Sequence, residues 1–444
     1  MDAVLLAPRA IVDGRERSCT VRVRHGSVVA VEEYDESLGT APGAVSLAED
    51  EVLLPGLVDT HVHVNDPGRA DWEGFPTATR AAAAGGVTTI LDMPLNSIPP
   101  TLDAAALDAK RGAAVGRVHV DVGFWGGAVP GNRGRLGPLW RDGVFGFKCF
   151  LSDSGVPEFP ALEPGMLDAV TEEVASFGGL LLVHAEDPGT LRDCDPASTR
   201  YADFLASRPE ASEQAAVATV LDSARTSGCR VHVVHVSAAA ALAEIAAARA
   251  EGLAVSAETC PHYLSFTADD VPAGATEFKC CPPIRAAAHR DALWQGLAEG
   301  TLDIVVSDHS PCPPELKNRD SGGFADAWGG IGSVQLGLPA VWHAARERGH
   351  DLADVVGWMC TGPADFAGLP RKGRISPGAD ADFCVLAPDE TFTVEPRHLQ
   401  QRHALTPYNG RVLTGVVRQT WLRGTRIDLD GPPHGRLLRR RGAG

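Results

Sequence analysis

Histidines, a lysine and an aspartate stand at the ends of apolar runs, where they could hold metal ions and move protons. The run Leu53–Val64 contains His61-Val62-His63, and residues two apart on a strand project from one face. Lys148 lies inside the aromatic segment Gly146-Phe147-Lys148-Cys149-Phe150. A buried ammonium is costly, so this lysine either reaches solvent or an ion pair, or stays neutral. A neutral lysine can react with carbon dioxide to form a carbamate, a bidentate oxygen ligand. Leu180-Leu181-Leu182-Val183 ends in His184, and Val231–His235 carries His232 and His235 on opposite faces. His235 lies nearer the C-terminal end and is the expected ligand, with His232 a packed strand residue. Ile304–Ser307 ends in Asp308-His309. A carboxylate has two oxygens, so Asp308 can bind a metal and still hold a proton. Singly, each motif has a plain structural reading. Jointly, four histidines, one carboxylate and one candidate carbamate form the donor set of a two-metal hydrolase. Zinc is the foremost expectation, with cobalt, iron, manganese or nickel accepting the same donors.

These residues need elements that bring them to one rim. Eight runs read as strands: Leu53–Val64, Gly86–Met93, Val118–Gly123, Gly143–Phe150, Leu180–Ala185, Arg230–Val236, Ala254–Thr259 and Leu302–Ser307. Helix-like segments lie between them, among them Ala78–Ala84, Glu213–Thr226 and Ala238–Glu251. Continuous apolar runs indicate strands buried on both faces, hence a parallel sheet covered by helices. The spacing predicts an α/β fold, a (β/α)₈ TIM barrel over residues 55–370, with its chemistry at the C-terminal strand ends. An open doubly wound sheet would show a Gly-rich phosphate turn after the first strand, and Val58-Asp59-Thr60-His61-Val62-His63 stands there instead. Neither chain end is long enough for a convincing core of its own. Residues 1–54 and 371–444 are therefore expected to combine into one small β-sandwich domain. A hairpin is expected around His25-Gly26-Ser27, and strands over Asp382–Leu386 and Gly415–Leu422.

Composition removes other functional classes. Forty Lys plus Arg against 57 Asp plus Glu gives a net charge of −17 over 444 residues, the wrong sign for a nucleic-acid backbone. No apolar run reaches the roughly 18 residues that span a bilayer, and no secretory leader is visible at Met1–Ala10. No nucleic-acid or membrane partner is therefore expected. Ten scattered cysteines, with Cys280 and Cys281 adjacent, suit reduced thiols in a cytoplasmic protein better than a disulfide framework. Arg439-Arg440-Arg441 reads as a solvated tail.

The stretch Leu54-Pro55-Gly56-Leu57-Val58-Asp59-Thr60-His61-Val62-His63 resembles the opening of cyclic amidohydrolases of the amidohydrolase superfamily. That group holds dihydroorotases, dihydropyrimidinases (hydantoinases) and allantoinases. The resemblance runs through Asp66-Pro67-Gly68-Arg69, Trp72-Glu73-Gly74, Asp92–Asn96, Gly146–Leu151, Cys260-Pro261-His262-Tyr263, Pro282–Arg285, Ser307–Pro314 and the closing segment Gly373–Phe383. These motifs are most similar to the allantoinase branch. The resemblance implies that His61, His63 and Asp308 hold one metal and His184 and His235 the other. Carboxylated Lys148 and a hydroxide would bridge them, and Asp308 would be the catalytic acid–base. It implies ring opening of allantoin to allantoate, in a homo-oligomer that relatives often build as a tetramer. A hydantoinase, dihydropyrimidinase or dihydroorotase acting on another cyclic amide is the alternative. Dihydroorotases place an arginine two residues after the His-x-His pair, where this chain has Asn65. Dihydropyrimidinases carry a tyrosine soon after the lysine, where this chain has Cys149–Ser154 with none. Asn96, Ser310 and the backbone around Cys281 are candidate substrate contacts. His262 and His309 are given no catalytic role.

Overall fold

The computed structural model describes residues 2–41 and 43–442. Eight parallel strands close a barrel: Leu57–Val62, Val87–Asp92, Asp121–Phe124, Phe147–Phe150, Leu180–His184, Arg230–Val233, Val255–Thr259 and Ile304–Val305. The first three pair in sequence, as do the fourth to the eighth. The third strand leaves the second at Phe124 and meets the fourth through Gly126–Gly127. A parallel bridge between Val62 and His309 closes the ring. Leu180 to His184 are buried without alternation, because the barrel interior covers one face and the helices cover the other.

Local signals set the helices between them. Pro76 opens the first turn of Phe75–Ala84, where a missing N–H costs nothing. Asp103 accepts the Ala106 N–H at 2.8 Å and starts Ala104–Ala114. Gly228, left-handed at φ 68°, ends Glu210–Ser227. That helix, with Phe75–Ala84 and Ala239–Ala250, overlaps the three expected from sequence.

The expected first strand, Leu53–Val64, is two strands. Val52–Pro55 belongs to a second sheet, antiparallel to Phe383–Thr393, and only Leu57–Val62 enters the barrel. Gly56 makes the change of sheet possible. Its N–H bonds the Asp382 carbonyl at 2.8 Å, and a β-carbon there would stand 2.3 Å from Thr88 Oγ1, so no side chain fits.

The second sheet takes strands from both chain ends. Thr425–Arg426, Val412–Leu422, Phe383–Thr393, Val52–Pro55, Ala3–Val12, Arg15–Arg24 and Ser27–Glu32 lie in that order, with Ala44–Ser46 against Ala3–Val12. The expected hairpin is present, Arg24 opposite Ser27, with His25 and Gly26 at φ 50° and 80° as a tight two-residue turn demands. The sheet curls back on itself, since Val28 bonds Ala379 at 2.9 Å and Gly424 bonds Ala381 at 2.7 Å. It thereby encloses a core of Leu5, Val21, Leu53, Phe383 and Trp421. Buried Lys372 ties this sheet to the barrel, 2.6 Å from Asp121 Oδ2 at the start of the third strand and 2.6 Å from Asp382 Oδ2. A cation so enclosed is tolerated because both carboxylates compensate it.

The C-terminal basic run departs from expectation. Leu437 bridges to Val122, the Arg440 N–H bonds the Gly143 carbonyl at 3.1 Å, and the Arg440 guanidinium lies 3.4 Å from the Trp140 ring centroid. The third strand turns from one neighbour to the other here, and the segment takes up backbone groups left over. Among the described residues no helix is long and apolar enough to cross a membrane. All ten cysteines are free.

Candidate metal centre

The six sequence-predicted donors stand at the C-terminal ends of five barrel strands and meet in one place. His61 Nε2 lies 2.9 Å from Lys148 Nζ and 3.1 Å from Asp308 Oδ1, and His63 Nε2 lies 3.5 Å from the same oxygen. His184 Nδ1 faces His235 Nε2 at 3.0 Å. The His61 and His235 rings are 5.5 Å apart between centroids, which joins the two groups. His61, His63 and Asp308 bring one donor atom each within 4.8 Å of one another, the spacing of a candidate ion site. His232 points elsewhere, with Nδ1 2.7 Å from Ser256 Oγ and Nε2 2.9 Å from Glu258 Oε2.

Backbone strain helps aim these groups. Asn65, Asn96, His235 and Asp308 have φ of 66°, 67°, 41° and 44°, a left-handed conformation costing a non-glycine residue about 1 kcal/mol or more. Each sits where a strand gives way to a loop, so the strain turns the chain at the rim.

Two buried carboxylates that the sequence reading missed fix the imidazoles. Glu258, on the seventh strand, is hydrogen-bonded to His61 Nδ1 and accepts from His232 Nε2 and the His235 N–H. Glu186 accepts from His184 Nε2 at 2.8 Å. A carboxylate on one ring nitrogen fixes the proton there and leaves the other nitrogen bare and more basic. His61 therefore offers Nε2 to Lys148 and Asp308, and His184 offers Nδ1 to His235. His-x-Glu at 184–186 was a legible signal, whereas Glu258 had none, its partner lying 197 residues away.

Asn96 does the same for His63. Its Nδ2 stands 3.3 Å from His63 Nδ1 while its Oδ1 is buried without a partner among the described residues. With the amide turned over, Oδ1 accepts the Nδ1 proton.

Burial drives the electrostatics. It lowers His63 to about 3 and His235 well below the usual imidazole value, so both rings are neutral and able to bind metal. Burial also lowers Lys148 to about 8, which makes the neutral amine accessible near physiological pH. For Asp308 burial acts the other way, but the facing His61 leads the neighbours that hold the carboxyl well below its ordinary range. Glu258 and Glu186 are likewise opposed by burial, yet are held at about 2, the first by His61 and His232, the second by Arg208 and His184. Bare imidazole nitrogens, a carboxylate and an amine facing one another in a dry pocket fit divalent cations.

A cavity of about 830 Å³ opens onto these donors, and Asn96, Cys281 and Ser310 line it with Lys148, His184 and Asp308. Ser310 Oγ is already engaged, donating to the Asp308 carbonyl at 2.9 Å. Asn65 donates to the Pro311 carbonyl at 3.3 Å and so ties the loops after the first and eighth strands together. His309 accepts the Ser333 and Val334 N–H groups at Nδ1, at 3.0 and 3.3 Å. Its proton is therefore on Nε2, facing Glu73 Oε2 at 3.4 Å, and it anchors the loop that carries Asp308. Among the described residues His262 has no partner at either nitrogen. With Cys260 and Asp308 it forms a second group of donors within 4.8 Å, and burial lowers its ring to about 4.

Barrel, rim and sequence define one class: the chain is a hydrolase belonging to the amidohydrolase family, whose sequence profile matches residues 52–427. The allantoinase of Streptomyces avermitilis is 56% identical to it over 444 residues, 99% of each chain. The allantoinase of Saccharomyces cerevisiae is 43% identical over 94% of this chain and 91% of its own. Among solved structures, the L-hydantoinase (dihydropyrimidinase) of Arthrobacter aurescens superposes with a TM-score of 0.92 at 30% identity, covering 99% of this chain and 100% of its own.

Proposed function

We propose that the chain is an allantoinase, opening the hydantoin ring of allantoin by hydrolysis of a cyclic amide C–N bond to give allantoate. The observation that carries this reading is full-length similarity to allantoinases in a chain whose six donor side chains share one rim. Asn65 is spent on a loop contact, so it does not replace the arginine with which dihydroorotases bind a substrate carboxylate.

Two divalent ions, zinc foremost, would be held by His61, His63 and Asp308 on one side and His184 and His235 on the other, with carboxylated Lys148 between them. When bound, the pair supplies Lewis acidity to the attacking water and the ring carbonyl. The protein does the rest. His61 and His63 both face Asp308 Oδ1, which leaves Oδ2 for a proton. Asp308 takes that proton from the water as its oxygen bonds to the ring carbonyl carbon. It then delivers the proton to the ring nitrogen as the C–N bond breaks. Amide nitrogen leaves poorly unless protonated, so one carboxylate serving both steps is the economical arrangement.

Ring opening of allantoin, dihydrouracil and dihydroorotate by the purified enzyme is the decisive comparison. Allantoin is expected to exceed the other two in kcat/KM by about 100-fold or more. Faster opening of either of the others would replace this reading with the hydantoinase or dihydroorotase alternative. His232→Ala is expected to keep both ions at saturating metal while weakening their hold by about tenfold, because Glu258 loses one imidazole partner and keeps His61. Metal titration reads this, and complete metal loss would make His232 a ligand. We extend the reading to a homotetramer in the cytoplasm, whose mass sedimentation would report.

A further inference from the structure

Beside His184 the barrel holds a carboxylate–guanidinium pair that the ring-opening steps do not use. Glu186 Oε2, which accepts from His184 Nε2 at 2.8 Å, also accepts from Arg208 Nη1 at 2.5 Å. The Glu186 side chain is wholly buried, whereas Arg208 keeps 22% of its side chain exposed and lines the cavity shared with Lys148, His235 and Asp308. Among the described residues the bond to Glu186 is the only side-chain hydrogen bond of Arg208, so its remaining N–H groups are available to a ligand. Desolvating a guanidinium while leaving most of its donors unused is costly unless something fills them.

The charges around it indicate what fills them. Arg192, Arg208 and Lys279 line the cavity together with Asp153, Asp193 and Asp326, and with Lys148 and Asp308 at its floor, four of each sign. Interspersed charges of both signs offer donors and acceptors to a neutral polar group. A urea group is of that kind.

We propose that Arg208, held in place by Glu186, is the residue that selects the ureido arm of the substrate, donating to the arm's carbonyl oxygen. This rests on the allantoin reading and deepens it. Allantoate carries its new carboxylate on the carbon bearing both ureido groups, so the attacked carbonyl is bonded to the carbon that holds the arm. Arg208 shares Glu186 with His184 and lines the same cavity, so its free donors face the space that a short arm beside the attacked carbonyl would enter. A site built to hydrogen-bond a substrate group discriminates against rings lacking it.

The test uses the full-length enzyme with Arg208→Met and with Arg208→Lys, which keeps a cation beside Glu186. It measures kcat and KM for allantoin, the inhibition constant of hydantoin (the same ring without the arm), and metal content. In Arg208→Met the KM for allantoin is expected to rise about tenfold or more, with a smaller rise in Arg208→Lys. In Arg208→Lys, which keeps a cation for Glu186, the kcat, the hydantoin constant and the metal content should stay within about threefold. An unchanged KM, hydantoin weakening in step with allantoin, or metal loss in Arg208→Lys would overturn the proposal, the last by making the pair a prop for His184 alone. A wild-type enzyme inert toward allantoin would instead defeat the reading beneath it.

Discussion

Asp308→Asn is expected to lower kcat for allantoin ring opening by about 10³- to 10⁴-fold while the protein stays folded. The amide keeps an oxygen for a metal but cannot take up the water's proton, nor carry it to the ring nitrogen. The native carboxyl enters the reaction ionised, held well below its ordinary range by the facing His61 despite its burial, and so has an oxygen free to receive a proton. Steady-state rates with metal content measured on the same sample decide the matter. A variant retaining its ions and more than about a tenth of the wild-type kcat would remove Asp308 from the proton path.

Lys148→Ala is expected to lose bound metal and activity together, with a residual rate about 10⁴-fold or more below wild type. Lys148 lies on the strand that pairs with the His184 strand, and its Nζ stands 2.9 Å from His61 Nε2, so its side chain extends from the His184 side to the His61 side. Alanine also removes the amine whose neutral form burial favours, at about 8. Short carboxylates such as acetate or propionate should enter the vacated space and restore part of both metal content and rate. Full activity in the unrescued variant would end the carbamate argument. Metal retention without activity would assign Lys148 to chemistry and not to binding.

The strand ends were legible because apolar runs buried on both faces leave an unbroken hydrophobic signal, and a polar residue after such a run stands out. His184 after Leu180–Val183 and Asp308 after Ile304–Ser307 are clear cases. His235 and His232 were separable by position alone, and they stand on different partners, His184 and Glu258. Glu258 escaped notice because a single carboxylate in Val255–Thr259 has no local feature to mark it, its meaning residing in His61 across the barrel. The break at Gly56 escaped for a related reason. The run on either side is equally apolar, and only the approach of Thr88 and the bond to Asp382 force the chain from one sheet to the other. Arg440 looked solvated because charge was visible and Trp140, 300 residues earlier, was not.

Periodicity and residue type thus determined the barrel and marked six candidate donors at its strand ends, because each depends on burial within a short segment. The tertiary structure decided which nitrogen of each imidazole is free, which carboxylates hold the rings, and where Arg208 opens onto the cavity. Those properties depend on distances between residues remote in the chain, and a hydrogen bond across the barrel leaves no trace in the local pattern of either partner.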